Sequence, residues 1–313
     1  MKLINIDQAK EILTKDGIVA IPTETVYGLG AWIFSEAGLK KIFSTKERPF
    51  FDPLIVHIDT IIKAKALASE WTKIHEVLAR ECWPGPLTII AKKNELVHPL
   101  ITSGLDSVGL RCPRHHLTLK LLSQIEGGIA APSANKFGKT SPTTSVHVHQ
   151  EFDSIVPILE GGQSEVGIES TVVGIREEKV EIFRPGFFTA KMLSAILEKN
   201  GISVEVNYAE SPVAPGQLKH HYMPKIPLII IPENFRWDEK KEQIGIPFFN
   251  PILWRQPLSP EIASRELYQK MREFDEKGYD IIFAEKSPHH LSEDWLGIWN
   301  RLEKAKTLSF EKE

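Results

Sequence analysis

Apolar positions along the chain switch repeatedly between two spacings: the three-to-four-residue recurrence of helices and short unbroken runs rich in Val and Ile. Residues 7–16 set Ala9, Ile12 and Leu13 on one face and stop at Gly17, which predicts a helix. Residues 18–21 read as a short buried strand ending at Pro22. A second helix is expected from Ser35, a capping residue, through Leu39, Ile42 and Phe43. The run 53–58 predicts a strand, and 70–82 a helix halted by Trp83-Pro84-Gly85-Pro86. Further strands are expected at 87–91, 107–111 and 129–131, with a helix at 116–126 between the last two. Residues 155–159, 170–175 and 180–183 follow as strands, and Thr189 opens a helix that ends at Gly201. Helices alternating with short strands argue for an α/β domain.

Residues 202–224 are rich in Pro, Gly and polar side chains and have no helical period, so they read as a linker. Beyond them, strands are predicted at 226–231, 244–249 and 279–284. Ser259-Pro260-Glu261 starts a helix with the stripe Leu267, Met271 and Phe274, and residues 295–305 form a closing helix. The expected division is therefore 1–205, a linker at 206–224, and a small α/β domain at 225–313. At 42% hydrophobic and 25% charged residues, the chain can build real cores and is not intrinsically disordered. Its 38 basic and 41 acidic side chains leave a net charge of −3, so any grip on polyanions must be local. Cys82 and Cys112 lack metal-site spacing, which excludes a disulfide framework or a cysteine-based zinc site; no metal site is expected in the protein itself. The start of the chain has no leader pattern, and no apolar run is long enough to span a membrane. A cytoplasmic protein in a reducing compartment is the expectation.

Several segments have compositions that packing alone does not select. PTETVYGLG (22–30) follows a strand and joins two threonines and a glutamate to two glycines, which suits a small polar ligand or a plain strand-to-helix turn. TKERPFFDP (45–53) sets Lys46 and Arg48 before a proline-restricted loop, read as solvent-facing cations fit for phosphate. His57 sits in a strand, and such a histidine alone is more often core than ligand. APSANKFGKTSP (131–142) offers Ser133, Asn135, Ser141 and backbone amides to an anion. GIEST (167–171) and Arg184-Pro185-Gly186 are further polar strand ends. Arg111 stands among apolar neighbours and needs an anion, either Glu24 or Glu169 in an ion pair or a ligand carboxylate. No Walker loop, dinucleotide fingerprint or zinc motif is present.

The ordered set PTETVYGLGA, TKERP…DPLIVHI, WPGPLTII, SVGLRCP, APSAN…SPT, GIESTVV and FRPG resembles the YrdC-like family. APGQLKHHYMP and the C-terminal string LYQKMREFDEKGYDIIFAE resemble the linker and accessory domain of its long form. The resemblance implies a twisted open α/β sheet with a concave basic face in 1–205, a linker or lid, and a small Rossmann-like α/β domain. The activity it implies is condensation of L-threonine, bicarbonate and ATP to threonylcarbamoyl-adenylate and pyrophosphate, with Mg²⁺ on the triphosphate. A separate transferase complex would then modify tRNA beside the anticodon. Thr23, His57, Arg111, Ala131 and Ser170 would hold threonine. Lys46 and Arg48 would be catalytic and, with Asp52, Ser107, Ser133, Asn135, Ser141, Arg184, His221 and Tyr222, would hold ATP. The family usually has asparagine where Asp52 stands, and two linker positions also depart from its pattern. The alternatives are an RNA-binding module of the same fold, with double-stranded RNA on the basic face, and a carbamoyl-transfer domain. Retention of Thr23, Arg111 and Ser170 argues against the first.

Overall fold

The computed structural model describes residues 1–209, 221–237 and 239–310. These fall into two compact units, 1–137 with 141–209 and 138–140 with 221–310. No helix among the described residues is long and apolar enough to cross a membrane. The linker expected at 206–224 is only partly described: Val206–Tyr208 is a strand, and 210–220 lie outside the described residues.

The first unit is built on an eleven-stranded mixed sheet. From edge to edge it runs Leu3–Ile4, Ile158–Leu159, Val19–Ile21, Gly28–Trp32, Ile129–Ala130, Ile55–His57, Ser107–Arg111, Leu87–Lys92, Thr171–Arg176, Lys179–Arg184 and Val206–Tyr208. Alternation along the strands sets the two faces. Val56, Val108, Leu110, Ile89 and Val173 point into the main core. There they meet Leu39 and Phe43 of helix Glu36–Lys46, Leu78 of Lys73–Cys82, and Leu193 of Ala190–Lys199. Each such fully buried side chain contributes about 1.5–3 kcal/mol. The helices start where a hydroxyl satisfies a free amide: Ser35 Oγ accepts from Gly38 N, Thr72 from His75 N and Thr189 from Met192 N. By the same alternation His57, Ser107, Gly109, Arg111 and Thr88 lie on the face away from that helix layer.

Strand Gly28–Trp32 has no β-branched run to announce it. It forms because antiparallel partners close both its sides, at 19–21 and at 129–130. A Cβ on Gly30 would come within 2.7 Å of Ile129 Cγ2, so glycine permits the close approach.

The second unit holds four parallel strands in the order Pro251–Arg255, Ile281–Lys286, Leu228–Pro232, Leu308–Ser309. Helix Pro260–Glu276, capped by Ser259 Oγ with proline in its first turn, links the first two as a β-α-β crossover. The strand expected at 244–249 is corrected. Lys241–Ile244 is a helical turn that Gly245 ends at φ 65°, and the strand begins only at Pro251. Pro247 has no amide to donate to a ladder, so the apolar run after Gly245 cannot pair as a central strand.

Candidate active site

Arg111 ends its strand directly beside His57, with which it is in register. Its Nη2 lies 3.0 Å from Glu24 Oε1, and its Nε donates to Gly85 O at 3.4 Å. Arg111 and Glu24 are 4% and 1% exposed, so the pair is removed from water. Among the described residues neither oxygen of Glu24 has a well-aligned hydrogen-bond donor. Of the two carboxylates the sequence offered Arg111, the structure selects Glu24, while Glu169 Oε1 accepts from Ser141 Oγ at 2.6 Å. Thr23 holds the turn that delivers Glu24: its Oγ1 accepts from the amides of Thr25 and Val26 and donates to Val26 O at 2.6 Å. Ala131 joins this group through its backbone, whose N–H donates to Ile55 O at 2.9 Å.

Lys46 and Arg48 correct an expectation: both are buried, at 1% and 8% exposure, where the sequence suggested solvent-facing cations. Lys46 Nζ donates to Ser133 O at 2.6 Å and to Asn135 O, which ties the Ser-Ala-Asn loop to the end of its helix. Arg48 pairs with Asp52 Oδ2 at 2.8 Å and donates to Asp52 O and Pro53 O. The departure at Asp52 therefore has a local reason, since its charge answers Arg48. Arg184 donates from Nε to Ser170 O at 3.1 Å and from Nη2 to Ser170 Oγ at 3.2 Å. Ser170 Oγ also lies 2.8 Å from Thr88 Oγ1. Ser107 lines a small cleft with Ile55, Thr88, Gly109 and Val172. His221 and Tyr222 are buried within the second unit, where His221 N donates to Lys304 O and the Arg301 guanidinium lies 5.6 Å from the Tyr222 ring.

Burial strips water from Lys46, and the nearby Arg48 charge adds to that, so its ammonium titrates well below the ordinary lysine range. Asp52, Glu151 and Glu169 oppose the shift. An arriving polyanion would act in the same sense and favour the charged lysine. His57 is pushed down to about 3, first by burial and then by the Arg111 charge, so it is a neutral imidazole at physiological pH. In the unfolded chain it would titrate near 6.5. Between those values the unfolded state binds the extra proton, so this contribution to stability is present above pH 6.5 and is lost as pH falls toward 3. His57→Gln is expected to flatten that part of the acid-unfolding curve, measured as the urea midpoint against pH. An unchanged slope would count against the neutral imidazole.

Thr88 belongs to this constellation but was not singled out from the sequence, where it was legible only as a lone hydroxyl in the apolar run LTII. Glu24 and Glu169, offered there only as partners for Arg111, join it as carboxylates. Both thiols are buried, with Cys82 and Cys112 each pushed up to about 12 mainly by burial, so neither is an activated nucleophile. Among the described residues no group of three His, Cys, Asp or Glu side chains could hold a metal.

Residues 11–186 match the Sua5/YciO/YrdC family, described as telomere recombination. The chain belongs to the Sua5/YrdC family. Residues 188–307 match the threonylcarbamoyl-AMP synthase C-terminal domain, which makes this a long-form member. The threonylcarbamoyl-AMP synthase of Pyrococcus abyssi is 36% identical over 310 residues, covering 92% of this chain and 90% of its own. That of Bacillus subtilis is 35% identical over 325 residues, covering 96% and 92%. The crystal structure of P. abyssi Sua5 complexed with L-threonine is similar across 99% of this chain and 100% of its own, with a TM-score of 0.86 at 32% identity. For a Sua5/YrdC protein, the expected twisted α/β sheet with an accessory α/β domain is thus what the chain has.

Proposed function

We propose that this chain is an L-threonylcarbamoyladenylate synthase, condensing L-threonine, bicarbonate and ATP to threonylcarbamoyl-AMP and pyrophosphate. The observation that carries the reading is the water-excluded Arg111–Glu24 pair beside the neutral His57. A zwitterion fits it: the substrate carboxylate on the Arg111 guanidinium, its amine toward the Glu24 oxygens, which lack aligned donors among the described residues. Thr23, His57, Ser170 and the Ala131 backbone complete the threonine pocket. Lys46, Arg48 and Arg184 neutralise the triphosphate. Asp52, Ser107, Ser133, Asn135 and Ser141 supply the remaining polar surface.

In the first step the threonine ammonium gives up one proton to solvent, and the free amine attacks bicarbonate carbon. A second nitrogen proton leaves with the bicarbonate hydroxyl as water, giving the carbamate. In the second a carbamate oxygen attacks the α-phosphorus, and pyrophosphate departs with the electron pair of the broken P–O bond. Neither step needs a covalent enzyme intermediate, so alignment and charge neutralisation by buried cations are the protein's main contributions. Mg²⁺ enters with ATP as its counter-ion. Transfer of the product onto tRNA falls to a separate complex, and a cytoplasmic setting suits two free buried thiols.

The test is pyrophosphate release that requires threonine, with the adenylate identified by mass. Serine lacks the substrate methyl and is expected to be about 10–200-fold poorer. Release independent of any amino acid would sink the synthase reading, and equal use of serine would sink the fitted pocket.

A further inference from the structure

The second unit carries a crevice of its own, independent of the constellation above. Its volume is about 320 Å³, within the range of small-molecule sites. It reaches the carboxyl ends of neighbouring parallel strands, after Pro232 of Leu228–Pro232 and Lys286 of Ile281–Lys286, and continues along the edge strand Leu308–Ser309 to Glu303 and Lys306, which precede it. The connection leaving Pro232 runs to Pro251–Arg255, two places to one side. The connection leaving Lys286 runs to Leu308–Ser309, two places to the other. With right-handed crossovers these connections take opposite faces, so the crevice opens where the strand order reverses. Open parallel sheets bind ligands at such points.

The lining divides into two chemistries. Ile230, Pro232, Pro288, Leu291 and Phe310 form apolar walls. Phe310 is stiffened by the ring of Phe235, 4.8 Å away. At one end Lys286 and Lys306 converge on the two oxygens of Glu303, at 3.3 and 2.7 Å, and Lys306 also donates to Ser309 Oγ at 3.0 Å. Glu303 thereby holds two ammonium groups side by side at this end of the crevice, within reach of an anion with several oxygens. Ser287 adds a hydroxyl, and Glu233 adds an acceptor suited to sugar hydroxyls or an exocyclic amine. His290 lies between lining residues Pro288 and Leu291 and is 3% exposed. Its Nδ1 accepts from Ser287 N at 3.0 Å, which leaves the proton on Nε2. Among the described residues that buried Nε2 has no partner.

We propose that this crevice is a second ligand site, for a nucleoside monophosphate, with the phosphate on Lys286 and Lys306, the base against the apolar walls, and Glu233 on the ribose. No glycine-rich turn follows Pro232, so the phosphate is held by ammonium groups rather than by a backbone cradle.

The experiment is amide exchange read by mass spectrometry on the full chain, with AMP, adenosine and inorganic phosphate as separate probes. AMP is expected to slow exchange several-fold in peptides covering 286–291 and 306–310. Lys286→Ala and Lys306→Ala, checked for folding by circular dichroism, should each raise the AMP concentration needed by about tenfold or more. Peptides around Lys46 and Arg111 serve as an internal reference, because the proposed synthase site fails or succeeds there without bearing on 286–310. Absence of protection in 286–310 at saturating AMP, or protection unaltered by both substitutions, would overturn the site. Equal protection by phosphate alone would overturn the nucleoside assignment.

Discussion

Arg111→Met is expected to reduce threonine-dependent pyrophosphate release by about a hundredfold or more, because truncating one partner of a buried charge pair costs about 2–5 kcal/mol. Stability should fall as well, by about 3–5 kcal/mol, since Glu24 is left as a buried, uncompensated carboxylate. The two losses separate in a second variant. Adding Glu24→Gln removes the orphaned charge, so the double variant should regain much of the denaturant midpoint while turnover stays low. If the double variant regains turnover together with stability, Arg111 is a structural cation and the threonine assignment is wrong.

Lys46→Met should give the second large effect. Methionine keeps most of the buried volume, but the carbonyls of Ser133 and Asn135 lose their shared donor, at about 1–3 kcal/mol for each group left unsatisfied. A positive charge aimed at a developing phosphate anion is worth about 10²–10³ in turnover. The expected outcome is therefore a fall in kcat of about that size, with a stability loss that Lys46→Arg only partly repeats. Turnover near the wild-type rate in Lys46→Met would show that the lysine merely pins the loop.

How much of this was legible in the sequence depended on where each residue finds its partners. Helix starts at Ser35, Thr189 and Ser259 were readable because a cap is satisfied within three residues. Strand Ser107–Arg111 was readable from its apolar alternation. Gly28–Trp32 was not, because its stability lies in two flanking strands, one of them about a hundred residues away. The burial of Lys46 was hidden for the same reason: its acceptors stand 87 and 89 residues along the chain. Arg48 looked exposed by composition, yet Asp52 four residues on was a partner within view. The motifs thus marked out the polar segments, while long-range pairing decided which of their charges meet solvent.

The short strand Val206–Tyr208 sets a limit on how this gene can be divided. It pairs in parallel with Lys179–Arg184, and Ala209 N closes the ladder on Ile182 O. A fragment ending at 186, where the family match to the first unit stops, would lack this strand and helix Ala190–Lys199. It would bare the long edge of the strand that carries Arg184, a surface prone to pair with other chains. Leu193 and Leu197 would also leave the core. A separately expressed first unit therefore has to run through Ala209. For solubility, the useful cut lies some twenty residues beyond the one that sequence similarity marks out.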